Sequence, residues 1–564
     1  MISKYPGICI KCHKRFVIGK DKIIKDKKLD KWIHETCPDG HTYQSTINIP
    51  IAIDLNDIDI ETPVEEKQVK EFIPTHYQQA IFDFITNGQG HAVVEAVAGS
   101  GKTTTIVKAL DLTPKDAKVG FVAFNKHIAT ELKRRAPDHV HVSTLHSLGL
   151  SMIRKSNPKV QIEEDKVGLL LDDIWPVSKH ALEMGLITRE DRKTNWPKRL
   201  SMRKLVSICK STLVDVLDAN AVLAIIDRYN VEIDDGNIDE ILEKLPDVMQ
   251  KCKDETGIVD FDDMIWLPLV NNMELEKFDF LMVDEAQDMN VSQTRFILKS
   301  IKETGRIIAV GDRNQSLYGF RGADTEAIPN LIRELDATTL PLSITFRCPA
   351  SHVELAKKLV PQLEARDNAS EGSITQMQYF DLAKMVEPGD MVICRTNAPL
   401  IRPAFECIRM GKKAVIRGKD IGASLVNLIK RFETDDLGQF EVSLAEYFDY
   451  EYQKMLDKGK EMQALLLQDR VDTLRFIMNE VSTVSELMAK IMMLFADTNT
   501  GVIFSSVHRA KGLEAERVFI LRPDLMPHPK AKQKWEQEQE LNCCYVAQTR
   551  SKDALYFVNG GENV

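Results

Sequence analysis

The sequence predicts an α/β protein: two parallel-sheet domains with helical insertions, preceded by a small N-terminal module rich in cysteine and lysine. Three observations carry this. Short apolar runs at 93–97, 118–124, 278–283, 306–310, 390–394, 501–505 and 517–521 are separated by segments of helical periodicity. Such runs fit strands buried on both faces, and their wide separation requires crossover rather than hairpin connections. Two stretches, about 150–255 and about 420–500, keep a helical pattern with few strand signals, as insertions would. Three of the ten cysteines fall in the first forty-odd residues, among many lysines.

These features divide the chain into a module at 1–45, an acidic linker at 46–72, a first domain at 73–337 and a second at 338–564. A length of 564 residues suits three or four units of ordinary size. No apolar run approaches the roughly 18 residues that span a bilayer, and no leader-like segment opens the chain, which predicts a cytoplasmic protein. The net charge of −10 disfavours a protein that coats nucleic acid over its whole surface, but leaves room for a basic groove. Cys209, Cys252, Cys348, Cys394, Cys407, Cys543 and Cys544 show no disulfide or metal spacing and read as buried thiols.

The run Ala96-Val97-Ala98-Gly99-Ser100-Gly101-Lys102-Thr103-Thr104 follows one expected strand and opens a helix. That is the setting of a phosphate-binding loop. Glycines let the backbone approach phosphate, and the helix N-terminus adds amides and a favourable dipole. In this reading Lys102 reaches the β and γ phosphates of ATP, and the Thr103 hydroxyl binds Mg2+. A second apolar strand ends in Asp284-Glu285-Ala286-Gln287-Asp288. Asp284 at the strand end suits magnesium, and Glu285 suits activation of the attacking water. The two motifs together predict nucleotide hydrolysis.

From here the order of motifs resembles the UvrD/Rep family of superfamily 1 DNA helicases, over nearly everything from residue 73 onward. Gln78, in Tyr77-Gln78-Gln79, sits where that family reads adenine. Phe121–Lys126 (FVAFNK), with Phe124 and Asn125, and Ser143-Thr144-Leu145-His146-Ser147 resemble its early DNA-contacting motifs. The AFNK form and Val259-Asp260-Phe261-Asp262-Asp263 are similar to the F-box-helicase-like branch. In the run from Val310 to Ala323 the resemblance makes Gln315 a γ-phosphate sensor, and Tyr318 and Phe320 stacking faces for bases. Thr345-Phe346-Arg347 opens the second domain, with Phe346 on adenine in place of the tyrosine common in the family, and Arg347 on the γ phosphate. The run from Ser506 to Glu514 places His508 near DNA and Glu514 near the nucleotide sugar. Arg550, in the Tyr545–Lys552 run, corresponds to the arginine finger.

The resemblance implies two RecA-like domains that close on ATP and step along single-stranded DNA, 3′-to-5′, opening duplexes that carry a single-stranded tail. The segment between Gly418 and Gly501 is much shorter than the accessory domain of UvrD or Rep, and no RecB-type nuclease domain is expected after Arg550. Two other functions fit the same motifs: a DNA-dependent ATPase that displaces proteins without unwinding, and a recruitment protein acting through its first module. In that module Cys9 and Cys12 form one knuckle, and His34 and Cys37 a second. Three thiolates and one imidazole make a closed structural Zn2+ site, with His13 and His41 as spare candidates for the imidazole, and so short a segment seldom folds without a metal. The lysines around it suit contact with DNA, a merely solvated face fits them equally well, and docking to a protein partner suits them nearly as well.

Overall fold

In the computed structural model, the structure describes residues 72–560 apart from 124–125, 230, 232, 318–325, 433, 458–460, 496–499 and 532, together with two short strands near the N-terminus. Those strands, Ile23–Asp26 and Lys31–His34, pair antiparallel. Cys9, Cys12 and Cys37 lie outside the described residues, as does the side chain of His34. Residues 73–564 form one compact unit, separate from 1–72.

Within that unit the first sheet comprises β1 (Ala92–Ala96), β2 (Val119–Ala123), β3 (Val140–Thr144), β4 (Phe278–Val283), β5 (Ile301–Gly311) and β6 (Thr338–Leu342), in the order β6-β1-β5-β4-β2-β3. All its pairings are parallel. The second sheet holds β7 (Ser373–Gln378), β8 (Met391–Cys394), β9 (Ala414–Ile416), β10 (Val502–Ser506), β11 (Ala515–Leu521) and β12 (Ser551–Asn559), in the order β7-β12-β11-β8-β10-β9, again all parallel. Thr338–Leu342 completes the first sheet, so the change of sheet comes after residue 342 rather than after 337.

The apolar runs are strands because both faces of each sheet are covered. Val94, Phe121 and Met282 pack into one core of the first domain, and Val93, Val122 and Leu281 into the other. Val392 and Phe519 against Met391 and Ile520 repeat the alternation in the second. Side chains along a strand alternate faces, so a strand buried twice over is apolar at every position. Two helical blocks interrupt this pattern. One carries its own core around Trp175, Met202, Leu245 and Trp266. The other, with helices Leu437–Asp457 and Glu461–Met478, packs on the second sheet through Phe440, Leu474 and Ile491. The seven cysteines from Cys209 onward are buried free thiols, and burial pushes Cys209 up to about 12. Among the described residues no helix is long and apolar enough to cross a membrane.

Candidate nucleotide site

Every strand of a parallel sheet ends on the same edge, and the phosphate loop, the acidic turn and the sensor turn all follow carboxyl ends of adjacent strands. Behind β1 the loop turns through Gly99 (φ 72°) and Gly101 (φ 76°) into the helix Lys102–Leu110. A Cβ on Gly99 would stand 2.6 Å from Cβ of Arg347 and 2.7 Å from Oγ1 of Thr345. The Phe346 N–H donates to the Gly99 carbonyl at 2.8 Å. Only glycine therefore allows the second domain to come this close to the loop. Gly101 faces the Phe346 ring and the Gln78 amide. Gln78 is itself anchored, its Oε1 accepting from the Thr75 N–H at 3.0 Å and its Nε2 donating to Thr105 Oγ1 at 2.9 Å. Thr103 is half-buried and Thr104 exposed.

Lys102 Nζ donates to Glu285 Oε1 at 3.0 Å. Burial opposes its charge, but the carboxylates of Glu285, Asp284 and Asp312 outweigh that and raise its pKa. Burial and the neighbouring Glu285 push Asp284 up, whereas Lys102 and Lys511 overcome burial to hold Glu285 down. One carboxylate of the pair thus stays charged at the other's expense. Glu285 holds a left-handed φ of 51°, a conformation that a non-glycine residue keeps only when its surroundings enforce it. The Gln287 amide donates to the free oxygen of Glu285 and accepts from the Asp312 N–H at 2.9 Å. Asp312 Oδ2 accepts from Gln315 Nε2 at 2.6 Å, and Gln315 Oε1 accepts from Arg550 at 3.3 Å.

Arg550 is buried, and its remaining bonds go to the carbonyls of Val546 and Leu513 and the Thr549 hydroxyl. Among the described residues it has no ion-pair partner. Burial, with Arg347 nearby, lowers it to about 9. Arg347 donates to Glu514 at 2.7 Å, and Glu514 also pairs with Lys552 at 2.6 Å. The structure therefore brings Lys102, Asp284, Glu285 and Gln315 of the first domain to one cleft with Phe346, Arg347, Glu514 and Arg550 of the second. The buried Ser100 hydroxyl in the loop carries no hydrogen bond among the described residues, and Arg550 is held by carbonyl, amide and hydroxyl oxygens alone. Both features suit a polyphosphate. Among the described residues no three carboxylate, imidazole or thiol groups gather where they could hold a metal ion.

The UvrD/REP helicase N-terminal domain family matches residues 77–336, and the UvrD-like helicase C-terminal domain family matches residues 406–559. The chain carries both domains of a UvrD/Rep helicase. It is 24% identical to F-box DNA helicase protein 1 of Schizosaccharomyces pombe, over 88% of this chain and 58% of that protein. It is 22% identical to the ATP-dependent DNA helicase PcrA of Staphylococcus epidermidis, over 84% of this chain and 81% of that protein. With DNA helicase II of Escherichia coli the identity is 24%, over 49% of this chain and 39% of the relative. The chain thus spans little more than half of the first relative and well under half of the third.

Of the residues that the UvrD/Rep resemblance assigns to DNA, Phe124, Asn125, Tyr318 and Phe320 lie outside the described residues. His146 opens the helix Leu145–Ser156 just past β3 and is half-buried, with its pKa lowered by burial. Against it, edge to face at 6.2 Å between ring centres, lies Phe261, which is 51% exposed. Sequence reasoning quoted Phe261 within its motif but gave it no role, although an aromatic between three aspartates was the available signal. Asp260 and Asp263 anchor its turn inside the helical block: Lys210 pairs with both, at 2.6 and 2.8 Å, and Lys166 pairs with Asp263 at 2.7 Å. His508 stands past β10, its Nε2 3.9 Å from Cys543 Sγ.

Proposed function

We propose that this chain is an ATP-dependent single-stranded DNA translocase and DNA helicase. One observation carries the reading: a phosphate loop and paired carboxylates from one parallel-sheet domain meet two arginines from the other across a single cleft. Bound ATP and Mg2+ would supply the bond to be cleaved and the positive charge that polarises it. Ser100, Gly101 and Lys102 hold the phosphates, Thr103 and Asp284 the metal, Phe346 and Gln78 the base, and Glu514 the sugar. Glu285, kept charged by Lys102 and Lys511, accepts the proton of the attacking water. Arg347, Arg550 and Gln315 stabilise charge on the phosphoryl group.

Because the arginines and the carboxylates belong to different domains, closure of the cleft assembles the site and product release relaxes it. His146, with Phe261 against it, and His508 follow carboxyl ends of strands in the two domains, where closure would move them relative to one another along a strand of DNA. Polarity is 3′-to-5′ in this proposal. ATPase measured with single-stranded DNA against RNA, and unwinding of 3′- against 5′-tailed duplexes, test it. No stimulation by DNA, or unwinding from 5′ tails alone, overturns it.

The N-terminal knuckles add a separate proposal, resting on their spacing alone: one Zn2+ on Cys9, Cys12, His34 and Cys37. Elemental analysis of protein made with ample zinc should find one per chain, lost in Cys9→Ser/Cys12→Ser. Metal-free wild-type protein would refute the site.

A further inference from the structure

Tyr545 lies on the helix Lys534–Gln548 of the second domain and is fully buried. Its ring belongs to an apolar cluster that joins the two domains: Val97 and Ala98 of the phosphate loop on one side, Cys348, Val353 and Leu363 on the other. The Ala98 N–H donates to its hydroxyl oxygen at 2.8 Å, and its O–H faces Asp312 Oδ2 at 3.5 Å. One hydroxyl of the second domain therefore meets two separate parts of the first, a loop amide and the sensor-turn carboxylate. A hydroxyl suits this place because one atom both accepts and donates while the ring fills an apolar gap.

What lies beyond each contact matters. Asp312 receives the Gln315 amide at 2.6 Å, and Gln315 receives Arg550 at 3.3 Å. The Asp312 N–H holds Gln287, which holds Glu285. Further along the tyrosine's own chain, the Thr549 N–H and hydroxyl bond the Tyr545 carbonyl at 3.1 and 2.8 Å, and Arg550 follows. Asn542, one helical turn before Tyr545, donates to the Ser316 carbonyl at 3.0 Å. The same helix face thus grips the sensor turn and carries the arginine.

We propose that Tyr545 is a positioning residue for ATP hydrolysis, its hydroxyl setting the register between the phosphate loop, the Asp312–Gln315 turn and Arg550 when the domains close. The inference rests on the nucleotide site proposed above. Tyr545→Phe keeps the ring and removes only the tie, leaving the Ala98 N–H unpaired in the closed arrangement. With saturating single-stranded DNA, kcat should fall about tenfold, the worth of one buried hydrogen bond. KM for ATP should stay close to wild type, because none of the nucleotide's own contacts is removed, and the melting temperature should fall by no more than the few degrees that one buried hydrogen bond is worth.

A wild-type kcat in Tyr545→Phe overturns the proposal. So does a parallel shift of kcat, KM and melting temperature, which would make the hydroxyl a structural bond only. Lys102→Ala measured alongside separates the two levels. If it retains turnover, the nucleotide site itself is misassigned and the tie falls with it. If it is inactive while Tyr545→Phe turns over normally, the site stands and the tie alone fails.

Discussion

Asp288 and Lys511 form an ion pair between the two domains with both side chains nearly out of solvent, 1% and 10% exposed. Asp288 closes the turn that begins with Asp284 and Glu285. Lys511 opens the segment whose Leu513 carbonyl holds Arg550 and whose Glu514 holds Arg347. The pair therefore links the carboxylate half of the cleft to the arginine half. Removing one partner strands a buried charge, so Lys511→Met should destabilise the protein by about 3–5 kcal/mol. Removing both, in Asp288→Asn/Lys511→Met, should cost less than the sum of the single changes. Thermal unfolding of the four proteins measures the coupling, and simple additivity would show that the two charges do not depend on each other.

The cleft itself makes a sharper demand. Lys102→Ala and Arg550→Ala should each abolish most ATP turnover, the arginine change by about 10³–10⁵. Binding of single-stranded DNA should survive in both, because neither side chain is assigned to the track. Steady-state ATPase and fluorescence anisotropy with a labelled oligonucleotide check this together. Turnover within a few-fold of wild type in either variant contradicts the roles given to these residues.

How much of this was legible beforehand varies with the physics. The strands that end at the site, 278–283 and 306–310 among them, were readable because burial on both faces makes them apolar at all but one position each. Ser373–Gln378 was not, because it is an edge strand with all but one of its residues exposed, and its polar sequence matches that setting. Ser551–Asn559 carried the same signal as the other strands in its apolar run Ala554–Val558, and went unread beside the arginine motif. Among site residues, Lys102, Asp284 and Glu285 were named from motif chemistry and Gln315, Arg347 and Arg550 from the UvrD/Rep resemblance, and hydrogen bonds and close contacts link them in the structure. Tyr545 was quoted only as part of its motif, since nothing local tells that its hydroxyl crosses to Ala98. Lys166 and Lys210 were also opaque. Lysine reads as a surface residue, and only the fold shows that Asp260 and Asp263 compensate two fully buried ammonium groups.

Acid should loosen the second domain through His528. Its ring is buried, its Nδ1 accepts the Lys530 N–H at 3.2 Å, and the backbone N–H of His528 donates to Glu540, which is forked by Arg395. Burial first, then the Arg395 charge against the weaker pull of Glu540, lowers its pKa from 6.5 to about 4. The folded ring thus stays neutral where the unfolded one is protonated, so the unfolded state binds more protons between those values. Stability from this group is intact above about 6.5 and falls as pH drops towards 4, by roughly 3 kcal/mol in all. His528→Gln should flatten that part of the stability–pH curve. An unchanged slope from pH 7 to 4.5 in the variant would assign the acid sensitivity to other groups.

The last prediction concerns the track. Phe261 presents a half-exposed ring beside His146, on a turn fixed from inside by Lys166 and Lys210. A rigid backbone under an exposed aromatic suits stacking, since little freedom is lost when a base lands on it. Phe261→Ala should weaken single-strand affinity by about 1–3 kcal/mol, as should Tyr318→Ala and Phe320→Ala if those rings share the path. Stacking releases no counterions, so the slope of log affinity against log salt should stay at its wild-type value while affinity falls at every salt concentration. Loss of a phosphate contact would instead make that slope shallower. The melting temperature separates stacking from packing. An exposed ring removed from a turn held by buried ion pairs should leave it nearly unchanged, whereas a core aromatic cut to Ala lowers it by several degrees. Unaltered DNA affinity with a lowered melting temperature in Phe261→Ala would show that the ring packs the helical block and that the strand runs elsewhere.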